Sequence, residues 1–409
     1  MGTKTLIRLL IALVVVGGVA AILHFANPGG NVAEVESSTS KKKVFDDFPI
    51  NEVASVEIRN AEGSVHLEKG EENWQVEERN GYPADTESIV SLLRDLWDLN
   101  IGQPVTIGRS QYGRLDLVHP EEASGDSAAT ILTFQNEEGN DIASLWLGKV
   151  HERADNRPSP FGGGMAMTDA GRYVKTGGSN AVFLVSETFD DIDIDPAVWL
   201  DQDFFEIQGI RTIEMRSGDE EEDWKLVRES PTGDFSFADP REGEELEQSK
   251  VSSMKSAFSN PQFEDVYTGE AKEENQPDKT TFVITTFDDF RYEIRVGEKN
   301  DLNELPLSLK VSADLPEKRE EGEEESDEEK KELDEAFTRD LEEKKEKLAR
   351  EKALEGHVFK VRSFLVDSIS KPRSELLAEP ESADGTPPGS DAEIAPGVSL
   401  PGAGGPSNQ

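Results

Sequence analysis

Cysteine is absent from the 409 residues, which excludes disulfides, thiolate metal sites, cysteine nucleophiles and a lipid-modified cysteine together. Histidine is scarce: His24, His66, His119, His151 and His357 stand alone, none with a second at helical or hairpin spacing, so a zinc site is disfavoured. Positive charge is also short. Lys and Arg number 43 against 85 Asp and Glu, a formal net charge of -42. Such a surface repels phosphate backbones, so nucleic acid is not an expected partner. Long apolar runs are missing too, with one exception. Residues 6–25, "LIRLLIALVVVGGVAAILHF", form an almost wholly apolar stretch, with Lys4 before it and Arg8 near its start. About twenty such residues span a bilayer as one helix.

The run continues past the small residues Gly18, Val19 and Ala20 that would suit a signal-peptide cleavage site, through Ile22, Leu23 and Phe25. That favours a retained anchor, Leu6 to Phe25, over a cleaved leader. Basic residues before the span place the N-terminus inside and the body outside, although Lys41, Lys42 and Lys43 pull the other way. The expectation is a single-pass membrane protein with an extracytoplasmic body.

The body is expected to be α+β: two tandem, duplicated β-rich units, each an antiparallel sheet plus one main helix. The expected divisions are an anchor at 1–26, a flexible linker at 27–43, a first unit at 44–205 and a second at 206–378. A tail at 379–409, rich in Pro, Gly and Ser, is disordered by composition. In the first unit "VASVEIRN", "SVHLEKG" and "NWQVEERNG" read as three strands, "ATILTFQNEEGNDIASLWLGKV" as a hairpin and "GRYVKTGGSNAVFLVS" as another. It closes with "DIDPAVWLDQDFF", a short helix with Pro196 after an Asp195 cap. In the second, "IRTIEMRSGDEEEDWKLVRES" matches the opening strands, "EQSKVSSMKSAFSN" (246–259) the helix and "TTFVITTFDDFRYEIRVGEK" the central hairpin. "HVFKVRSFLVDSI" matches the last hairpin. The offset is 150 residues from Trp74 to Trp224 and 149 from Gly148 to Gly297, the signature of a duplication.

Two inserts are expected at equivalent places. One is a Pro/Gly-rich loop at 151–171. The other is charged, at 316–355, an acidic run leading into an exposed helix with Glu335/Arg339, Glu343/Lys347 and Glu346/Arg350 at i,i+4. Leu333, Phe337 and Leu341 draw a thin apolar stripe along that helix, read either as part of a solvated arm or as a contact for a partner helix.

"GYPADTESIVSLLRDLWDLN" (81–100) has the look of a motif. Ile89, Leu92, Leu93, Leu96 and Leu99 fall on one helical face, Asp85 can cap the first turn, and Asn100 and Gly102 stop it. A site at Tyr82 and Asp85 is the minor alternative.

No catalytic, cofactor-binding or metal-binding residue is assigned, and no enzyme activity is expected. "GRSQYG" (108–113) resembles a nucleophile elbow only loosely. Gly162, Gly163 and Gly164 lack the Lys-Ser/Thr ending of a phosphate loop. Asp191, Asp193 and Asp195 alternate like a calcium loop, but an EF-hand count from Asp191 puts Pro196 and Gln202 where Gly and Glu are needed. Trp74, Trp146, Trp199 and Trp224 sit in strand or short-helix patterns and are expected in the core.

The apolar span, "FDDFPINEVASVEI", "ENWQVEERNGYPADTESIVSLLRDL", "LWLGKV", "YVKTGGSNAVFLV" and "WLDQDFFEI" together resemble the bacterial domain-of-unknown-function family numbered four-three-four-zero, over about 45–205 and more weakly beyond. The resemblance implies a membrane-anchored envelope protein, often associated with auxiliary components of gliding-motility-type ABC transporters. Two functions stay open: a non-enzymatic accessory or structural subunit in such a complex, or an envelope module binding polysaccharide or peptidoglycan. A cleft holding Tyr82, Trp97 and the 151–171 loop would favour the second.

Overall fold

Alternation of apolar and polar residues builds two sheets. In the computed structural model the described residues are 42–378, apart from residues 72, 159–164, 320–321 and 323–324. The expected anchor at 6–25, most of the linker, His24, Gly162 to Gly164 and the tail at 379–409 lie outside the described residues. Among the described residues no helix is long and apolar enough to cross a membrane. The chain divides between Asp201 and Gln202 into two units.

The first unit runs β1 (Ser55–Arg59), β2 (Ser64–Lys69), β3 (Trp74–Val76), β4 (Tyr82–Pro83), α1 (Thr86–Asp98), β5 (Gln103–Val105), β6 (Thr130–Gln135), β7 (Asp141–Pro158), β8 (Met165–Thr176) and β9 (Val182–Val185). Its sheet has the order β4-β3-β2-β1-β6-β7-β8-β9-β5, with neighbours antiparallel. In β1, Val56 and Ile58 are fully buried while Ser55, Glu57 and Arg59 are only half covered, the two-residue period expected of a strand.

The second unit runs β10 (Ile210–Arg216), β11 (Trp224–Val227), β12 (Ser236–Phe237), α2 (Gln248–Val251), β13 (Asp265–Tyr267), α3 (Gly269–Glu274), β14 (Thr280–Thr286), β15 (Phe290–Val296), β16 (Glu304–Ala313), α4 (Asp327–Lys352), β17 (Val358–Arg362), α5 (Phe364–Asp367) and α6 (Arg373–Leu376). Its antiparallel order is β12-β11-β10-β14-β15-β16-β17-β13. Both sheets put the first strand beside the central hairpin, and the strand that follows the helix at the far edge. The first carries one extra edge strand, β4.

Several expectations change in detail. The boundary falls four residues before 205/206 because Phe204 and Phe205 pack in the second unit, on Phe263, Phe359 and Phe258. Of the segment 151–171, residues 151–158 and 165–171 are strand, the end of β7 and the start of β8. The strand β16 has no counterpart in the sequence reading, although Leu305, Leu307, Leu309 and Val311 alternate and are buried. Pro306 hides it, since proline inside a run argues against a central strand. "HVFKVR" is therefore one strand, β17, and the charged insert lies between β16 and β17, whereas 151–171 lies between β7 and β8. Trp224 sits on β11, next to β10, while Trp74 is one strand further from β1. The segment 246–259 forms only α2 and a 3-10 turn, Ser252–Ser256. There Ser252 and Ser256 hydroxyls donate back to the carbonyls of Ser249 and Ser253, competing with a regular ladder.

The arm helix α4 opens on a capping box between Ser326 and Glu329. Its i,i+4 ion pairs are Lys331–Glu335 (3.8 Å), Asp340–Lys344 (2.9 Å) and Lys347–Glu351 (3.0 Å), and not the three pairs expected. For the expected Glu343/Lys347 pair the reason is Glu351, fully buried, which draws Lys347 inward.

Candidate functional site

Tyr82 is buried and Ala84 bridges to Leu200, so the lead-in to α1 is pinned on the backbone. Asp85 accepts from the amides of Glu87 (3.0 Å) and Ser88 (3.1 Å) and from the Ser88 hydroxyl (2.6 Å), a complete N-cap. The apolar face, Ile89, Leu92, Leu93, Leu96 and Leu99, is buried. Trp97 is 47% exposed, but Lys43 lies 3.7 Å from its ring centre and donates to its carbonyl. Tyr82 thus lies in the core and Trp97 lies under Lys43, and the motif-like stretch is the start of a helix.

The flank of α1 beside the apolar face, with Leu92 at its edge, does border a cleft. Ser88, Ser91 and Asp95 face Phe189, Asp190 and Asp191 across about 500 Å³. The aspartate series is dispersed: Asp191 lines this cleft, Asp193 accepts from the amide of Asp195, and Asp195 caps the turn at Ala197. Among the described residues no group of three or more His, Asp or Glu side chains is placed to hold a metal ion. The histidines are equally separate. His66 bonds Glu78 at 2.7 Å, His151 approaches the Tyr173 hydroxyl at 3.4 Å, and burial pulls the His357 pKa down, helped by Lys272.

A different arrangement forms where β7 and β8 meet the connection from β5 to β6. Leu145 and Leu147 of β7 are buried, so Trp146 between them faces the other side of the sheet. Trp74, Trp199 and Trp224 are buried as expected; Trp146 is only half-buried. Its partner across the ladder is Lys175, whose ammonium sits 3.6 Å from the indole centre. His119 meets the same indole edge-on at 5.4 Å. The connection is laid close by Gly148: a Cβ there would stand 2.3 Å from the Leu115 carbonyl oxygen, and the next amide, Lys149, donates to that oxygen at 2.8 Å. Tyr112, Leu117 and Val182 form a small core beneath.

The loop after β8 completes the site. Arg109 donates to the Asn180 side-chain oxygen through Nε (3.1 Å) and Nη2 (2.9 Å), and the Tyr112 hydroxyl donates to the Asn180 carbonyl (3.0 Å). Arg109, His119, Glu122, Trp146, Lys175 and Asn180 line a cleft of about 330 Å³. Lys175 is only 6% exposed, and its hydrogen bond, to the Ser179 carbonyl, is long at 3.4 Å. Burial lowers its pKa, and Arg109 lowers it further. The sequence predicts Trp146 in the core, although the "LWL" alternation is a signal that could have set it on the other side of the sheet; Arg109 and Tyr112 belong to "GRSQYG". Lys175 carried no local signal.

Residues 160–280 match the family model described as a domain of unknown function (DUF4340). It is the family that the sequence resembles. The matched segment starts later than the expected 45–205 and crosses the division at Asp201/Gln202. Within the DUF4340 segment lie Lys175 and Asn180 of the cleft; Arg109, Tyr112, His119 and Trp146 precede it. No curated protein and no solved structure matches the chain.

Proposed function

We propose that the chain is a non-enzymatic accessory subunit, held at the bacterial cytoplasmic membrane by residues 6–25, with its two units outside the membrane and bound to an ABC-type transporter complex. The observation that supports this reading is the way α4 is mounted. At its root Glu351 is fully buried and accepts from the Glu206 amide (3.0 Å) and the Tyr292 hydroxyl (2.9 Å), with Lys347 at 3.0 Å. Lys347 also donates to the Glu206 carbonyl. From Asp327 to Glu343 every residue is exposed except Lys330, Phe337 and Leu341, which are half-buried. Leu333, 45% exposed, heads the apolar stripe. A helix fixed at one end by a charged network, with a solvated outer portion carrying Leu333 and Phe337, suits a protein partner better than a small ligand.

Cross-linking in native membranes followed by pull-down tests it, comparing the whole chain, a chain lacking 316–355, and Leu333→Asp with Phe337→Asp. Co-purification of a permease and its auxiliary subunit with the whole chain, lost in both altered chains, is expected. Recovery of cell-wall material alone, or of nothing, overturns the transporter reading.

A further inference from the structure

We propose that the cleft between Arg109, His119, Trp146 and Lys175 binds the oxyanion, carboxylate or phosphate, of a small polar molecule of about monosaccharide size. The proposal stands independently of the transporter reading, since it concerns only the first unit.

The argument begins with a charge imbalance. The chain has about two acidic residues for each basic one, 85 against 43, so carboxylates are plentiful. Even so, neither Lys175 nor Arg109 forms an ion pair among the described residues, and the charge that acts on Lys175 is Arg109 itself, a like one. An ammonium more than nine-tenths buried, without a carboxylate, is a costly arrangement. The indole face recovers part of that cost, and the 3.4 Å contact to Ser179 little of it. Two of the three ammonium donors have no acceptor among the described residues, and the side chain lines an open cleft.

Arg109 is already oriented. Its guanidinium is held on Asn180 through Nε and Nη2, which leaves Nη1 and the outer edge of the fork to an incoming group. Its own ordering cost is therefore met before any ligand arrives. A cleft of about 330 Å³ is at the small end of ligand sites, large enough for one sugar ring or a compact organic acid. Trp146 already has the Lys175 ammonium over its ring and His119 against it edge-on, so the specificity lies in the anion and in hydrogen bonding more than in ring stacking. Glu122 at the rim is the one carboxylate in the lining and would repel a second anionic group, which favours a ligand with a single oxyanion.

The test uses the whole chain in a neutral detergent, with galacturonate, inorganic phosphate and neutral galactose as separate probes. Binding is read by Trp fluorescence, with Trp146→Phe identifying the signal. Saturable binding of an anionic probe, absent for galactose, is expected. Arg109→Ala, a change at an exposed side chain, should weaken it at least about tenfold, and Lys175→Met should abolish it. The carboxylate source is assigned if galacturonate binds more tightly than phosphate, and a phosphate source if the order is reversed. Equal binding of galactose, no binding by a chain whose circular dichroism is native, or anion binding unchanged in both variants overturns the proposal.

Discussion

Tyr292 and Glu351 show what one buried carboxylate can hold. The Tyr292 phenol is pushed far above its usual pKa, by burial first and then by the Glu351 charge, so it remains a donor at any working pH. Tyr292→Phe removes one of the three donors to Glu351 and is expected to cost about 1.5–3 kcal/mol, the range for a hydrogen bond to a charged group. Urea unfolding of the variant checks this; a loss below about 0.5 kcal/mol would mean water replaces the phenol. Lys175 is the opposite case. Its replacement by methionine keeps the stem over Trp146 and deletes an unpaired charge, so without ligand the variant should melt at the same temperature or higher. A drop of several degrees would show that the ammonium serves the fold instead. Neither contrast was legible in the sequence, although "GYPADTES" does tell that Asp85 caps. The burial of Lys175 and Glu351 depends on segments distant in the chain, and no local pattern encodes it.

At the scale of elements, close backbone approaches at two glycines position the connections that precede the central hairpins. A Cβ on Gly148 would lie 2.3 Å from the Leu115 carbonyl oxygen, and one on Gly297 would lie 2.4 Å from that of Gln276. Backbone cannot yield as a flexible side chain can, so Gly148→Ala should cost about 1–3 kcal/mol and displace the 109–119 wall of the cleft. Thermal melts measure the first effect, and loss of the fluorescence response to anions the second. The arm offers an acid-sensitive contact. Arg319 grips Glu325 through both terminal nitrogens (2.5 and 2.6 Å) and reaches Asp334 (3.1 Å), so the Glu325 pKa falls from 4.5 to about 2, chiefly through that hydrogen bond. A carboxylate with a depressed folded pKa contributes above its unfolded value and loses that contribution as pH falls through the folded one. Amide protection at the start of α4, taken relative to the intrinsic exchange rate at each pH, should therefore fall between pH 4.5 and about 2, and Glu325→Gln should already be weakly protected at pH 6. Strand alternation made most elements readable, whereas β16 was masked by Pro306 and the helix at 246–259 was shortened by serines that bond their own backbone.

For the whole molecule, the decisive quantity is the net charge of -42. Two contributions respond oppositely to salt. Local pairs, such as Arg373 with Glu244 (2.7 Å) and Asp239 (3.3 Å), are attractive, and screening weakens their exposed members. The summed repulsion among unpaired carboxylates is long-ranged and destabilises the folded state. The first group is few and short-ranged, and Arg373 is only 1% exposed, hence poorly reached by ions. The second group is large, because acids outnumber bases by 42. Shortening the Debye length from about 30 Å at 0.01 M to about 3 Å at 1 M should therefore raise the melting temperature, most steeply at the low-salt end where the long-range term is lost. A series in sodium chloride, repeated in a non-ionic osmolyte of equal osmolarity, separates screening from surface exclusion. A flat or falling curve in chloride would mean that the ion pairs outweigh the field, and the acidic surface would then call for an explanation other than charge repulsion.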